Sequence, residues 1–201
     1  MRFFVMGKEK REIVFATNNP HKLREVRELA GESIDIKSLE DIGCHDEIPE
    51  TADTLEGNAR QKARWIKDKY GLDCFADDTG LMVDALEGAP GVYSARYAGE
   101  HCSPDDNIKL LLEKMEGKTD RNARFVTAII LLEGDKEYLF EGSVEGKIAT
   151  TRSGKEGFGY DPVFIADETG MTFADMTSED KNKISHRGRA VRKLMQHLGS
   201  H

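Results

Sequence analysis

Cysteine is scarce in this chain: Cys44, Cys74 and Cys102 are the only three, and none forms a CxxC pair. That argues against a disulfide framework or a zinc site and suits a reducing cytoplasm. No apolar run approaches the roughly 20 residues of a membrane helix, so no membrane association is expected. The start, MRFFVMGKEKRE, lacks the length and cleavage pattern of a secretory signal. It reads as a tail over residues 1–11. Positive charge is in deficit, with 29 Lys and Arg against 37 Asp and Glu and a net charge of −8. Such a field disfavours a nucleic acid polymer as partner. A small anionic ligand would need a local cationic pocket or a metal. Repeats, low-complexity tracts and Pro/Ser-rich linkers are absent. The 201 residues can bury a real core, and 12–201 is expected to form one domain made of two lobes.

Hydrophobic periodicity supplies the elements. Residues 12–16 (EIVFA) read as a buried strand. Thr17-Asn18-Asn19-Pro20 then gives a cap and a Pro at the first helical position, with Leu23, Val26 and Leu29 at helical spacing. Residues 34–39 form a second strand. Over 53–70, Leu55, Ala59, Ala63, Ile66 and Tyr70 share one helical face, and Gly71 ends it. A third helix begins at Ser103-Pro104. Two long strands, 124–132 and 137–149, flank a Gly134-Asp135 hairpin turn. A short strand at 162–165 and a last helix follow. Early alternation of strands and helices with a later hairpin predicts a mixed α/β sheet with flanking helices.

Five segments carry possible chemistry. In Phe75-Ala76-Asp77-Asp78-Thr79-Gly80-Leu81, neighbouring side chains of a strand face opposite ways. A break is therefore expected between strands 73–76 and 81–86, aiming at least one carboxylate into a cleft. Paired carboxylates there suit a divalent cation or an activated water; a solvated Asx turn is the alternative. Thr17-Asn18-Asn19-Pro20-His21-Lys22 leads into a helix N-terminus, where free N–H groups and the dipole favour phosphate. An ordinary cap with a surface Lys fits too, and the Walker A spacing is absent. Glu50 precedes a helix start and could join the Asp pair around a hard cation or merely complement the helix dipole. Gly157-Phe158-Gly159-Tyr160-Asp161 offers an aromatic between glycines that can stack on a flat ring, and equally fits a turn with a core aromatic. Lys181 with Ser185-His186-Arg187 offers donors for carbonyl or phosphate oxygens, or a basic helix face.

Together TNNPHK (17–22), ETADTLEGNA (50–59), FADDTGLMVDALEGAPGVYSARYAG (75–99), GFGYDP (157–162) and SHRGRA (185–190) resemble the Ham1-like, or inosine triphosphate pyrophosphatase, family. They occur in the family's order across nearly the whole chain. The resemblance implies hydrolysis of ITP, XTP and their deoxy forms to the monophosphate and pyrophosphate. It also implies Mg²⁺ dependence, a homodimer and a two-lobed α/β fold around a nucleotide cleft. Carried over by motif, Thr17, Asn18, Asn19, Pro20, His21 and Lys22 hold the triphosphate. Asp78 is general base and metal contact, Glu50 helps with the metal, and Thr79 touches substrate. Phe158, Gly159, Tyr160, Asp161, Lys181, His186 and Arg187 bind the nucleotide, chiefly its base. Departures are small: Leu55 stands where Phe is frequent, Asn18-Asn19 replaces Gly-Asn, and Thr79 replaces a common Ser. The rival readings are a Maf-like pyrophosphatase of other base specificity and a non-catalytic nucleotide-binding protein.

Overall fold

A computed structural model of the chain describes residues 10–199. The tail expected at 1–11 therefore lies outside the described residues up to position 9, and Arg11 already opens the first strand. Among these residues the sheet has seven strands: β1 (Arg11–Phe15), β2 (Ile34–Lys37), β3 (Cys74–Val83), β4 (Pro90–Gly91), β5 (Asn122–Glu133), β6 (Lys136–Ile148) and β7 (Phe164–Ala166). Their order is β2-β1-β3-β5-β6-β7, with β4 pairing β3. β1 is parallel to β2 and β3, and the remaining pairs are antiparallel. The fold is thus the mixed, helix-flanked α/β sheet that the alternation predicts.

Among the described residues five α-helices cover the sheet: α1 (Pro20–Ala30), α2 (Leu55–Tyr70), α3 (Pro104–Lys114), α4 (Ser178–Ile184) and α5 (His186–Gly199). Local chemistry fixes their starts. Asn19 caps α1 by accepting from the N–H groups of His21 and Lys22, Thr54 caps α2 through Gly57, and Ser103 with Asp106 forms a capping box on α3. The α2 stripe of Ala59, Ala63 and Ile66 packs on Val14, Ala76 and Ile130. On the opposite face, α1 and α5 bury Val26, Val191 and Leu194 against Phe15, Phe75 and Ile129. A third cluster joins α3 to Leu81, Phe125, Phe164 and Phe173.

One expectation is corrected here. The chain does not break at Asp77-Asp78: β3 runs through both, in register with β5 from Cys74↔Leu132 to Val83↔Ala123. The two carboxylates do face opposite ways, as alternation requires, but each finds partners on its own face. The break falls on the other edge of β3. There β1 pairs only as far as Phe15↔Phe75, and β4 begins at Leu81↔Gly91. Among the described residues no strand covers positions 76–80 on that edge, and the chain leaving β1 passes over the gap as the 17–20 loop. The C-terminal region also departs from expectation. A 3₁₀ turn at Asp161–Val163 precedes β7, and the short, polar α4 adds a helix before α5.

Candidate functional site

The gap opens into a cleft of about 710 Å³. Its wall includes Thr17, Asn18, Asn19, Pro20, His21 and Lys22 from the first loop and helix, with Glu50, Asp78 and Thr79. Phe158, Gly159, Tyr160 and Asp161 line it from the glycine loop, and His186 and Arg187 from the start of α5. Lys181 alone of the expected residues is not on this wall. It lies behind Phe158, 4.9 Å from the ring centre, in a smaller cavity that also contains Glu25 and Met176.

The Asp77 face is a closed ion network. Asp77 accepts from Lys22 Nζ at 3.0 Å and from Arg187 Nε at 3.1 Å. Arg187 Nη1 reaches Glu25, whose other oxygen accepts from Lys181 at 2.8 Å, and Lys181 also holds Asp161 at 2.7 Å. Three carboxylates thus alternate with three cations: Lys22, Asp77, Arg187, Glu25, Lys181, Asp161. Burial alone would raise the Asp77 pKa, but Lys22, Arg187 and Lys62 hold it well below the usual carboxylate range. Burial acts on Lys22 as well and, against the pull of Asp77, lowers its pKa.

The Asp78 face is different. Asn58 donates to Asp78 Oδ2 at 3.1 Å, and the Thr79 N–H donates to Oδ1 at 3.0 Å. Among the described residues the one cation ion-paired on this side is Lys62, bonded to Glu50 and 4.0 Å from Asp78. Burial raises the Asp78 pKa, and Glu50 adds to it against the pull of Lys62 and Lys22. Two carboxylates share one ammonium, so this end keeps spare negative charge on hard oxygen donors. Among the described residues no set of three or more His, Cys, Asp or Glu side chains is arranged to hold a metal alone. Asp78 and Glu50 nevertheless suit Mg²⁺, which takes one or two carboxylates and completes its shell with water and phosphate oxygens.

The far end of the cleft is aromatic. His186 is buried and stacks on Phe125, with ring centres 4.6 Å apart and 18° between planes. Burial, then Arg187 and Lys181, push its pKa well below the ordinary histidine value, so it is neutral. Its Nδ1 has no hydrogen-bond partner among the described residues. Phe158 carries His21 in a stack at 5.1 Å and 17°. The loop bearing Phe158 is closed by Asp161, which accepts from the Phe158 N–H at 2.8 Å. Gly157 is required there: its φ is +79°, and a Cβ would come within 2.1 Å of Asp161 Oδ2.

Lys62 and Glu25 were not among the expected site residues. A signal exists for both. Asn58 and Lys62 are four apart and fall on the buried face of α2 among Leu55, Ala59 and Ala63. Glu25 follows Lys22 by three residues and lies beside Val26 on the buried face of α1. A polar residue inside an apolar stripe needs a buried partner.

The Ham1 family model matches residues 13–197. A dITP/XTP pyrophosphatase of Flavobacterium johnsoniae is 54% identical over 188 residues, covering 93% of this chain and 97% of its own. One from Porphyromonas gingivalis is 51% identical over 188 residues, with coverage of 93% and 97%. The solved HAM1 protein of Coxiella burnetii superposes with a TM-score of 0.87 at 38% identity, over 95% of this chain and 100% of that one. The Staphylococcus aureus Ham1 protein gives 0.85 at 38% identity, with 94% and 99% covered. A cleft built from those five motif segments, on a sheet shared with these structures, places the chain in the Ham1 family.

Proposed function

We propose that the chain is a nucleoside triphosphate pyrophosphatase acting on ITP, XTP and their deoxy forms, releasing the monophosphate and pyrophosphate. The observation that carries this reading is the charge asymmetry of the cleft. A helix N-terminus and Lys22 stand at one wall, and a half-neutralised acid pair, Asp78 and Glu50, stands beside them. The substrate class follows the relatives named dITP/XTP pyrophosphatase.

Hydrolysis of a phosphoanhydride is a problem of positioning and charge. Thr17, Asn18 and Asn19 of the loop before α1, with Lys22, take the triphosphate. Asp78 and Glu50 would hold Mg²⁺, which when bound would offset the charge of the phosphate oxygens. Asp78 is oriented by Asn58 and by the Thr79 N–H, which aims its carboxylate to accept a proton. It takes a proton from water as the water oxygen bonds to the α-phosphorus; the bond to the bridging oxygen breaks and pyrophosphate leaves. At the other end the base stacks on Phe158. His186 Nδ1, otherwise unpartnered, donates to the 6-oxygen of hypoxanthine or xanthine. Adenine presents an amino group there, which would leave buried donors unmatched.

A homodimer and a cytoplasmic setting belong to the same proposal and rest on the family resemblance. Among the described residues no helix is long and apolar enough to cross a membrane. The deciding assay is pyrophosphate release across ITP, XTP, GTP, ATP and dUTP, with and without Mg²⁺. Release from ITP and XTP well ahead of ATP, abolished by EDTA, supports the proposal. Orthophosphate as product, or equal use of ATP, overturns it.

A further inference from the structure

We infer that Thr127 is a positioning residue, which fixes the Thr79 hydroxyl as a hydrogen-bond donor to an acceptor oxygen of the nucleotide. The inference rests on the reading above that Thr79 touches substrate. Thr127 lies on β5 directly opposite Thr79 and is fully buried, away from the cleft wall. Their hydroxyl oxygens are 2.7 Å apart. Thr79 Oγ1 also accepts from Arg187 Nη2 at 3.2 Å.

Each hydroxyl has one proton to place and two lone pairs to offer. Thr127 has Thr79 as its one side-chain hydrogen-bond partner among the described residues. Were Thr79 the donor, the buried Thr127 proton would have no acceptor among the described residues, a destabilising arrangement. With Thr127 as donor, both lone pairs of Thr79 are filled, one by Thr127 and one by Arg187. The Thr79 proton then has only Asp77 Oδ2, at 3.5 Å, well beyond the usual reach of an O–H···O bond. Asp77 is already engaged by Lys22 and Arg187. Thr79, on the cleft wall, is left with a proton to give and no lone pair to offer. A phosphate or sugar oxygen matches it; an N–H group does not.

The test is steady-state hydrolysis of ITP with Mg²⁺ by Thr79→Val, Thr127→Val, Thr127→Ser and the double Val variant, with a thermal melt of each. Loss of one such bond is expected to raise KM about tenfold in Thr79→Val. Thr127→Val, a β-branched isostere suited to a strand, is expected to raise KM roughly three- to tenfold with little change in kcat. Thr127→Ser restores KM, and Thr127→Val adds nothing in the Thr79→Val background. Thr127→Ala is a second probe with the same expected pattern. A silent Thr79→Val overturns the reading of Thr79 and this inference with it. A damaging Thr79→Val beside a silent Thr127→Val, or equal Thr127→Val effects in both backgrounds, overturns the inference alone.

Discussion

Asp77 and Asp78 are adjacent, chemically identical and both buried, yet they sit in opposite electrostatic worlds. On the Asp77 face every carboxylate is matched by a cation, and the chain of pairs ties α1, β3 and α5 to the glycine loop. On the Asp78 face two carboxylates share Lys62. A saturated network holds geometry, whereas an unsaturated one has capacity left for a cation or a proton. One strand thus parts, by alternation, a saturated ion network from an unsaturated acid pair, and both border the cleft, through Lys22, Thr79 and Arg187 on one side and Asp78 and Glu50 on the other.

The contrast breaks most sharply at Asp77. Asp77→Asn leaves Lys22 and Arg187 buried without their shared counter-charge. Removing one member of a buried pair destabilises a fold by about 3–5 kcal/mol. Urea unfolding of the variant is expected to show a loss of that order. A loss below 1 kcal/mol would mean the network contributes little.

Asp78→Asn is expected to do the reverse. Turnover falls at least ~10²-fold with the loss of a positioned base. Stability is expected to hold or rise. The folded pKa of Asp78 lies above its unfolded value, because burial disfavours the ionised form. Its ionisation therefore opposes folding at neutral pH, and a neutral amide removes that opposition. Near-normal kcat, or a clearly lower melting temperature, would undo the distinction between the two faces.

How much of this was legible in the sequence follows from range. The α2 stripe, its Gly71 stop and the Asn19-Pro20 entry to α1 are set by residues within a turn of one another, and the structure has them where the sequence places them. The continuity of β3 is not a local property. Two adjacent carboxylates look like a break until Lys22, Arg187, Asn58 and Lys62 arrive from elsewhere in the chain to satisfy them, and until β5 pairs along the strand's whole length. Residues of the 17–22, 75–81, 157–161 and 185–187 segments could be named as candidates from motif and resemblance. That Lys181 stands behind Phe158 could not, because α4 is a single short polar helix without an apolar stripe to orient it.

Glu25 gives a smaller and pH-dependent test of the scaffold. Burial pushes its pKa up, but Arg187 and Lys181 outweigh that and leave it lowered. Its stabilisation is complete above the unfolded glutamate pKa of about 4.3 and is lost as pH falls through the lower folded value. Glu25→Gln keeps the shape and removes the charge. It is expected to cost about 2 kcal/mol at pH 7, and the gap to wild type is expected to shrink on acidification to pH 3.5. A gap that stays constant across that range would mean the carboxylate is not held by its two cations.

The smallest effect is expected where the two faces meet at the mouth of the cleft. The His21 N–H is spent on the Asn19 cap, and its ring rests on Phe158. A base that stacks on Phe158 competes with that ring if the two use the same surface. An aromatic pair contributes about 0.5–1.5 kcal/mol, so displacing His21 offsets part of the binding of every nucleotide, whatever its base. His21→Ala is then expected to lower KM for ITP and XTP alike by roughly threefold, with kcat and the ITP over ATP ratio unchanged. A raised KM would instead make His21 a phosphate contact that swings inward when substrate arrives. A changed base ratio would mean that its ring helps to read the purine.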